Sequence, residues 1–278
     1  MYTLIYHLQH YDKMGIRLRQ VDKKYILGFV EYLKTATQKH CKSVKNISAN
    51  TQVHYYKVFH HCLNSAVIDE IITSNPMDKI KNEEKPKRRR TERAFLTIDE
   101  LKILSQTDFH NATLKKAFLF SCFCGLRHSD IVALTWGNLK KGKVGKMELH
   151  MTQQKTQEIL SLPLSKEALK QLPVRGKVPD TEKVFKGLIS LGRTNEILPK
   201  WAAKAGIQKH ITFHSARHTH ATMMITPGAD LYTVSKLLGH TNIQTTQIYA
   251  KIVDESKEKA IDLIPDITCL LYTSPSPR

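Results

Sequence analysis

His214-Ser-Ala-Arg217 sets an imidazole and a guanidinium at i and i+3, on one face of a helix. Such a pair binds a phosphate and moves a proton near neutral pH. Standing alone, it also reads as a basic solvent face. His214, His218 and His220 raise a zinc reading, since histidines at i and i+4 can hold that ion. The HExxH pattern is absent and no carboxylate lies nearby, so neither a metal nor another cofactor is expected. Leu238-Gly239-His240 leads to Asn242, a helix cap, with Tyr249 seven residues beyond it. Two helical turns return Tyr249 to the Asn242 face, so His240 and Tyr249 can converge on one site. A phenol has a pKa of about 10 and needs help to become a nucleophile. Otherwise it is a core or rim residue.

Cys124-Gly-Leu-Arg127-His-Ser-Asp130 holds a third candidate. Arg127 follows an apolar helix and precedes a helix cap, expected at Ser129, so it is held rigidly near backbone N–H groups. Asp130 can fix its fork. A structural ion pair at a helix junction fits equally well. Lys155 lies in a polar turn, Thr152–Glu158, between two alternating segments. It is either a solvated turn lysine or a mobile cation that reaches a ligand. The chain has no P-loop, no GxGxxG and no acidic cluster for two-metal phosphoryl chemistry. Cleavage of nucleic acid by this chain would require its own cations to stabilise the phosphorane. Two arginines, a lysine and two histidines meet that need.

The charge supports a polyanion partner. Among 278 residues, 43 Lys and Arg oppose 25 Asp and Glu, a net charge of +18. The excess is +5 over residues 1–80, +4 over 81–93 and +9 over the remainder. No single basic tail explains it, and an extended nucleic acid fits the spread. The five cysteines show no CxxC spacing and read as reduced thiols. Met1–Leu8 lacks the basic region of a signal peptide, and Ala117–Leu126 is about half a membrane span. A cytoplasmic protein, with no membrane partner, is expected.

These residues must be positioned by two domains. Residues 1–80 read as a small helical bundle. Asp22 caps a helix through Phe29 and Leu33; Ser48 or Asn50 starts another, which Asn75-Pro76 stops. Residues 81–94 are a basic linker whose Lys85, Lys87, Arg88, Arg89 and Arg90 are either part of a spacer or a strap along phosphates. Residues 95–264 read as an α+β domain. Thr97-Ile-Asp-Glu100 is a capping box, and Leu114–Cys124 is an apolar helix. Met147, Leu149, Met151 and Leu160, Leu162, Leu164 alternate as strands of a small antiparallel sheet. Helices then resume near Ser165 and run to about Ile264, punctuated at Gly192, Pro199, Pro227-Gly228 and Gly239. Residues 265–278, ending Ser-Pro-Ser-Pro-Arg, read as a non-native or disordered tail.

The ordered set Arg127, Lys155, His214-x-x-Arg217, His240 and Tyr249 resembles that of the tyrosine recombinases, or phage-type integrases. CGLRHSDI, HSARHTHAT and LLGHTNIQTTQIYAKI resemble that family's local contexts. NTQVHYYKVFHHCLNSAV followed by NPMDKI resembles its core-binding domain, closest in style to integrases of conjugative transposons. The resemblance spans about residues 1–264. No further N-terminal arm-binding domain is visible, and Met1 falls inside the first helix. The resemblance implies a mainly α, two-domain protein: a core-binding bundle and a catalytic α+β domain. Tyr249 would attack a phosphodiester and form a 3′-phosphotyrosyl bond. Arg127, Arg217 and His240 would hold the phosphate oxygens. His214 would take the tyrosyl proton and Lys155 would protonate the departing 5′-oxygen, with Asp130 and His218 behind them. The implied partners are double-stranded DNA in the bacterial nucleoid, three further copies in a tetramer on paired sites (a monomer being allowed in solution), and accessory DNA-bending or excision proteins. Integration or excision of a mobile element is the expected role. Type IB topoisomerase activity and a silent DNA-binding regulator are the alternatives.

Overall fold

The computed structural model describes residues 2–38, 46–89, 93–142 and 145–249. The chain forms two compact units, Met1–Glu92 and Arg93–Arg278. Arg90, the last stretch of the expected helical run (250–264) and the tail 265–278 lie outside the described residues.

The first unit packs α1 (Tyr2–Tyr11), α2 (Lys23–Thr35) and α3 (Ala49–Ile68). Asp22 and Ser48 cap α2 and α3, accepting from the Tyr25 and Thr51 amides at 2.7 and 3.2 Å. Leu4, Ile26, Phe29, Leu33, Phe59 and Leu63 fill the core, with Met77 and Ile80 from the following turn. α3 ends at Ile68, seven residues before Asn75-Pro76. Glu70 takes a left-handed φ of 57°, and the amides of Ile71 and Glu70 return to the Ala66 and Val67 carbonyls at 2.9 and 3.1 Å. That is a Schellman stop with glutamate in the place glycine usually holds. The linker is not free along its length. Lys23 and the Lys81 amide both bond Glu84, and the Asn50 side chain makes two 3.1 Å bonds to the Arg89 backbone.

The second unit contains α4 (Ile98–Gln106), α5 (Ala112–Cys124), α6 (His128–Ala133), α7 (Lys166–Lys170), α8 (Leu191–Lys204), α9 (Phe213–Ile225) and α10 (Leu231–Leu237). Strands β1 (Leu139–Lys141), β2 (Met147–Thr152) and β3 (Ile159–Pro163) form an antiparallel sheet in that order. Leu149 pairs Leu162 and Met151 pairs Leu160, so the predicted alternation faces the core. α5 packs on α9 and α7 and is buried nearly all round, which explains its uninterrupted apolar run.

Several local expectations are corrected. Arg127, not Ser129, stands at the cap of α6, and the Asp130 carboxylate accepts its amide at 3.3 Å. Gly192 and Pro199 lie inside α8. Residues 171–190 are not helical; they are tied to the segment after α6 by the Trp136–Glu182 and Val184–Leu134 backbone bonds. Asn242 caps a 3₁₀ turn, and Tyr249 ends a second one, Gln247–Tyr249, rather than an α-helix. Among the described residues, no helix is long and apolar enough to cross a membrane.

Candidate active site

The site is built on the first turns of α9. Thr212 and Ser215 cap that helix, and Phe213 drives it into the core beside Phe118. Arg217 is 2% exposed. Its guanidinium donates to the Gly125 carbonyl at 2.8 Å and the Leu238 carbonyl at 2.6 Å. Burial first, then the charge of Arg127, pulls it down to about 10, so it stays cationic at neutral pH. Gly125 ends α5 with φ +70°, and a Cβ there would meet His220 and Leu238 side-chain carbons at 2.8 Å. Only glycine fits that corner of CGLRHSDI.

Arg127 enters from the start of α6. Its Nη1 donates to Gln153 Oε1 at 3.0 Å and lies 3.9 Å from the Asp130 carboxylate. Asp130 is fully buried and accepts from the backbone amides of Arg127 and Gln154. It ties two loops together more than it neutralises Arg127. His240 follows α10, and its Nδ1 meets the buried Thr246 hydroxyl at 2.8 Å. Burial, then Arg217 and Arg127, lowers it to about 4.

Tyr249 is buried, and its hydroxyl lies 2.5 Å from His218 Nδ1. Burial pushes the phenol up to about 12, with Arg217 and Arg93 opposing that rise. His218 falls to about 3 through burial, then the charges of His214, Arg93, Arg217 and His240. The His214 ring stands edge-on to His218 at 4.7 Å. Thus the direct partner of Tyr249 is His218, which the family resemblance places behind His214. Enclosure of the His214 ring comes first among the causes that lower it to about 4; Arg217, Arg93, Arg127 and Lys155 add to it. Lys155 is exposed on the β2–β3 turn.

The second unit therefore gathers all six expected residues, Arg127, Lys155, His214, Arg217, His240 and Tyr249, together with Asp130 and His218. Two residues were missed. Arg93, by sequence one more linker charge that no spacing marks, stands close enough for its charge to act on His214, His218 and Tyr249. Gln153 does carry a signal: it continues the inward parity of Met147, Leu149 and Met151, where a polar residue is out of place. In the first unit Lys87, Arg88 and Arg89 are exposed, while Lys85 Nζ donates to Asn82. Among the described residues no three His, Cys, Asp or Glu side chains converge as a metal site requires. The site's buried cations, with a tyrosine beside them, suit an oxyanion that a phenol can attack.

Comparison with known proteins agrees with this chemistry. Residues 94–256 match the phage integrase family, and residues 1–83 match the phage integrase SAM-like domain. A tyrosine recombinase of Pseudothermotoga lettingae is 28% identical over 251 residues, covering 89% of this chain and 84% of that protein. Tyrosine recombinase XerC of Neisseria meningitidis is 33% identical over 135 residues, 46% of this chain and 43% of the relative. In fold, the chain is similar to the Tn1549 transposon integrase in complex with transposon right end DNA (TM-score 0.70, 17% identity, 94% of this chain and 91% of that one). It is also similar to a lambda integrase dimer bound to a core site (TM-score 0.62, 17% identity, 92% and 89%). By the span of the family match, the chain belongs to the phage integrase family of tyrosine-type site-specific DNA recombinases.

Proposed function

We propose that this chain cuts and rejoins double-stranded DNA through a 3′-phosphotyrosyl bond on Tyr249, in the integration or excision of a mobile element. The observation that carries the reading is the buried Tyr249 hydroxyl, held on His218 within the field of Arg217. Arg217, with Arg127 beside it, holds the non-bridging oxygens, and His240 donates to the same group. Tyr249 Oη attacks phosphorus, and its proton passes to His218 as the P–O bond forms. The P–O5′ bond breaks, and Lys155 gives the departing oxygen its proton. Rejoining reverses these steps with a 5′-hydroxyl as nucleophile. The phosphotyrosyl bond conserves the phosphodiester energy, so no nucleotide cofactor is required.

In the free chain burial disfavours both the imidazolium of His218 and the phenolate of Tyr249, so the proton rests on the tyrosine. A phosphate between the arginines brings a negative charge that raises His218. The nucleophile therefore rests as the neutral phenol and loses its proton only as the P–O bond forms. The exposed Lys87, Arg88 and Arg89, with Lys85 and Arg90, follow phosphates in this reading. The Tn1549 and lambda integrase complexes support DNA as partner. A tetramer on paired sites, accessory bending or excision proteins, and action at the nucleoid complete the proposal.

The test is covalent capture. A randomised pool of nicked duplexes is incubated with the chain, and detergent-resistant adducts are sequenced. The expected result is a specific sequence joined to wild type and no adduct with Tyr249→Phe. Absence of any adduct, or its retention by Tyr249→Phe, overturns the proposal. Relaxation of supercoiled plasmid lacking the captured sequence would favour the topoisomerase alternative.

A further inference from the structure

Gln153 is a buried polar side chain beside the site that this reaction leaves unused. It is 0% exposed, at the inward position after β2. Its carboxamide is engaged at both ends. Oε1 accepts from Arg127 Nη1 at 3.0 Å and from the Thr156 hydroxyl at 2.8 Å; Nε2 donates to the Leu238 carbonyl at 3.2 Å. The same carbonyl accepts Arg217 Nη2. The backbone of Gln153 closes the turn carrying Lys155, through 2.9 Å bonds to the Glu158 carbonyl and from the Gln157 amide. One side chain therefore touches Arg127, the Lys155 turn and the peptide that leads into His240.

The residue type matters. A carboxamide accepts from Arg127 without cancelling its charge, and also donates to a carbonyl. A carboxylate would neutralise Arg127 and set two acceptors against each other at Leu238. Gly239 supplies the room: at φ +63°, a Cβ there would come within 2.7–2.9 Å of the Gln153 carboxamide.

We infer that Gln153 is a positioning residue for strand cleavage, holding the Arg127 guanidinium and the Lys155 turn in one frame with the His240 segment. The inference rests on the cleavage reading proposed above. Its effect on the reaction runs through groups that touch the phosphate, and Gln153 itself need not.

The experiment measures single-turnover cleavage of a nicked duplex selected by covalent capture on the wild-type chain. Gln153→Met keeps the volume and removes the hydrogen bonds without adding charge. It should bind that duplex within about threefold of wild type and cleave it roughly 10–100-fold more slowly, the reach of a hydrogen bond to a charged group. In an Arg127→Ala background the same substitution should cost several-fold less, because the guanidinium it aims is gone. Cleavage by Gln153→Met at the wild-type rate overturns the inference, as does an equal cost in both backgrounds. If Gln153→Met fails to fold, Gln153→Glu keeps the shape and takes its place: with its melting point retained, it should cleave over about 100-fold more slowly. A normal rate in that variant is equally fatal. Failure of the wild-type chain to capture any duplex would sink the reading of the site itself, and this role with it.

Discussion

His218 Nδ1 stands 2.5 Å from the Tyr249 hydroxyl, a direct hydrogen bond between two buried side chains. The pairing joins the first turns of α9 to the end of a 3₁₀ turn thirty-one residues later. It places the proposed nucleophile and its proton acceptor in contact before DNA binds. Acceptance of the hydroxyl proton by Nδ1 requires the tautomer whose own hydrogen sits on Nε2.

That contact separates two proton routes. His218→Ala should slow single-turnover cleavage by roughly 10²–10⁴-fold, the usual contribution of a general base. His214→Ala, one ring removed from the hydroxyl, should cost less. Both variants should still bind DNA. A larger loss in His214→Ala than in His218→Ala would return the acceptor role to His214.

The buried histidines also set an acid limit on stability. His218 and His220 are both buried, and both sit low, at about 3 and about 4, with burial the largest cause in each. His220 Nε2 has no hydrogen-bond partner among the described residues. The unfolded chain protonates these rings below about 6.5, while the folded chain refuses the proton down to 3 or 4. Proton uptake by the unfolded state makes stability fall as the pH drops through that window. By pH 5 each ring should have cost on the order of 2 kcal/mol relative to pH 7. Urea unfolding at the two pH values should show the loss, and His218→Gln with His220→Gln should shrink it. The same acid sensitivity in the double variant would assign it elsewhere.

Local rules made much of this fold legible. Asp22, Ser48 and Thr97 each cap the helix that their sequence announces. The β2–β3 hairpin follows from alternation alone. What escaped was decided by backbone geometry or by tertiary contact. α3 stops where Glu70 adopts a conformation that glutamate seldom signals. Tyr249 lies on turns of about three residues, so counting helical turns from Asn242 gave the wrong path to the site. His218 and His214 lie four apart on one helix, and only the position of Tyr249 decides which of them it meets. Gln153 could have been found, as the polar residue in an apolar parity.

The linker prediction concerns salt. Asn50 holds the Arg89 backbone, leaving the side chains of Lys87, Arg88 and Arg89 exposed. Replacing Lys85, Lys87, Arg88, Arg89 and Arg90 with glutamine should weaken binding to every duplex alike. For each phosphate that these cations no longer neutralise, the slope of log affinity against log salt should become shallower by about 0.9. Fluorescence anisotropy across a salt series measures it. An unchanged slope would reduce the segment to a spacer.

Lys155 offers the sharpest chemical test. It is exposed on a turn whose base is held by Gln153, so its ammonium can reach a bound phosphate while its backbone stays fixed. The leaving 5′-oxygen is an alkoxide and requires a proton. Arg217 and Arg127 are poor acids, since guanidinium holds its protons tightly. His218 faces Tyr249 and His240 faces the phosphate. Lys155→Ala should therefore slow cleavage by roughly 10²–10⁴-fold. Replacing the bridging 5′-oxygen with sulfur removes the need for an acid, because a thiolate leaves unprotonated. On that substrate Lys155→Ala should recover to near the wild-type rate. Arg127→Ala should not recover, because it acts on non-bridging oxygens that the sulfur leaves unchanged. If Lys155→Ala remains slow with the sulfur leaving group, the acid is another residue and Lys155 serves only to bind.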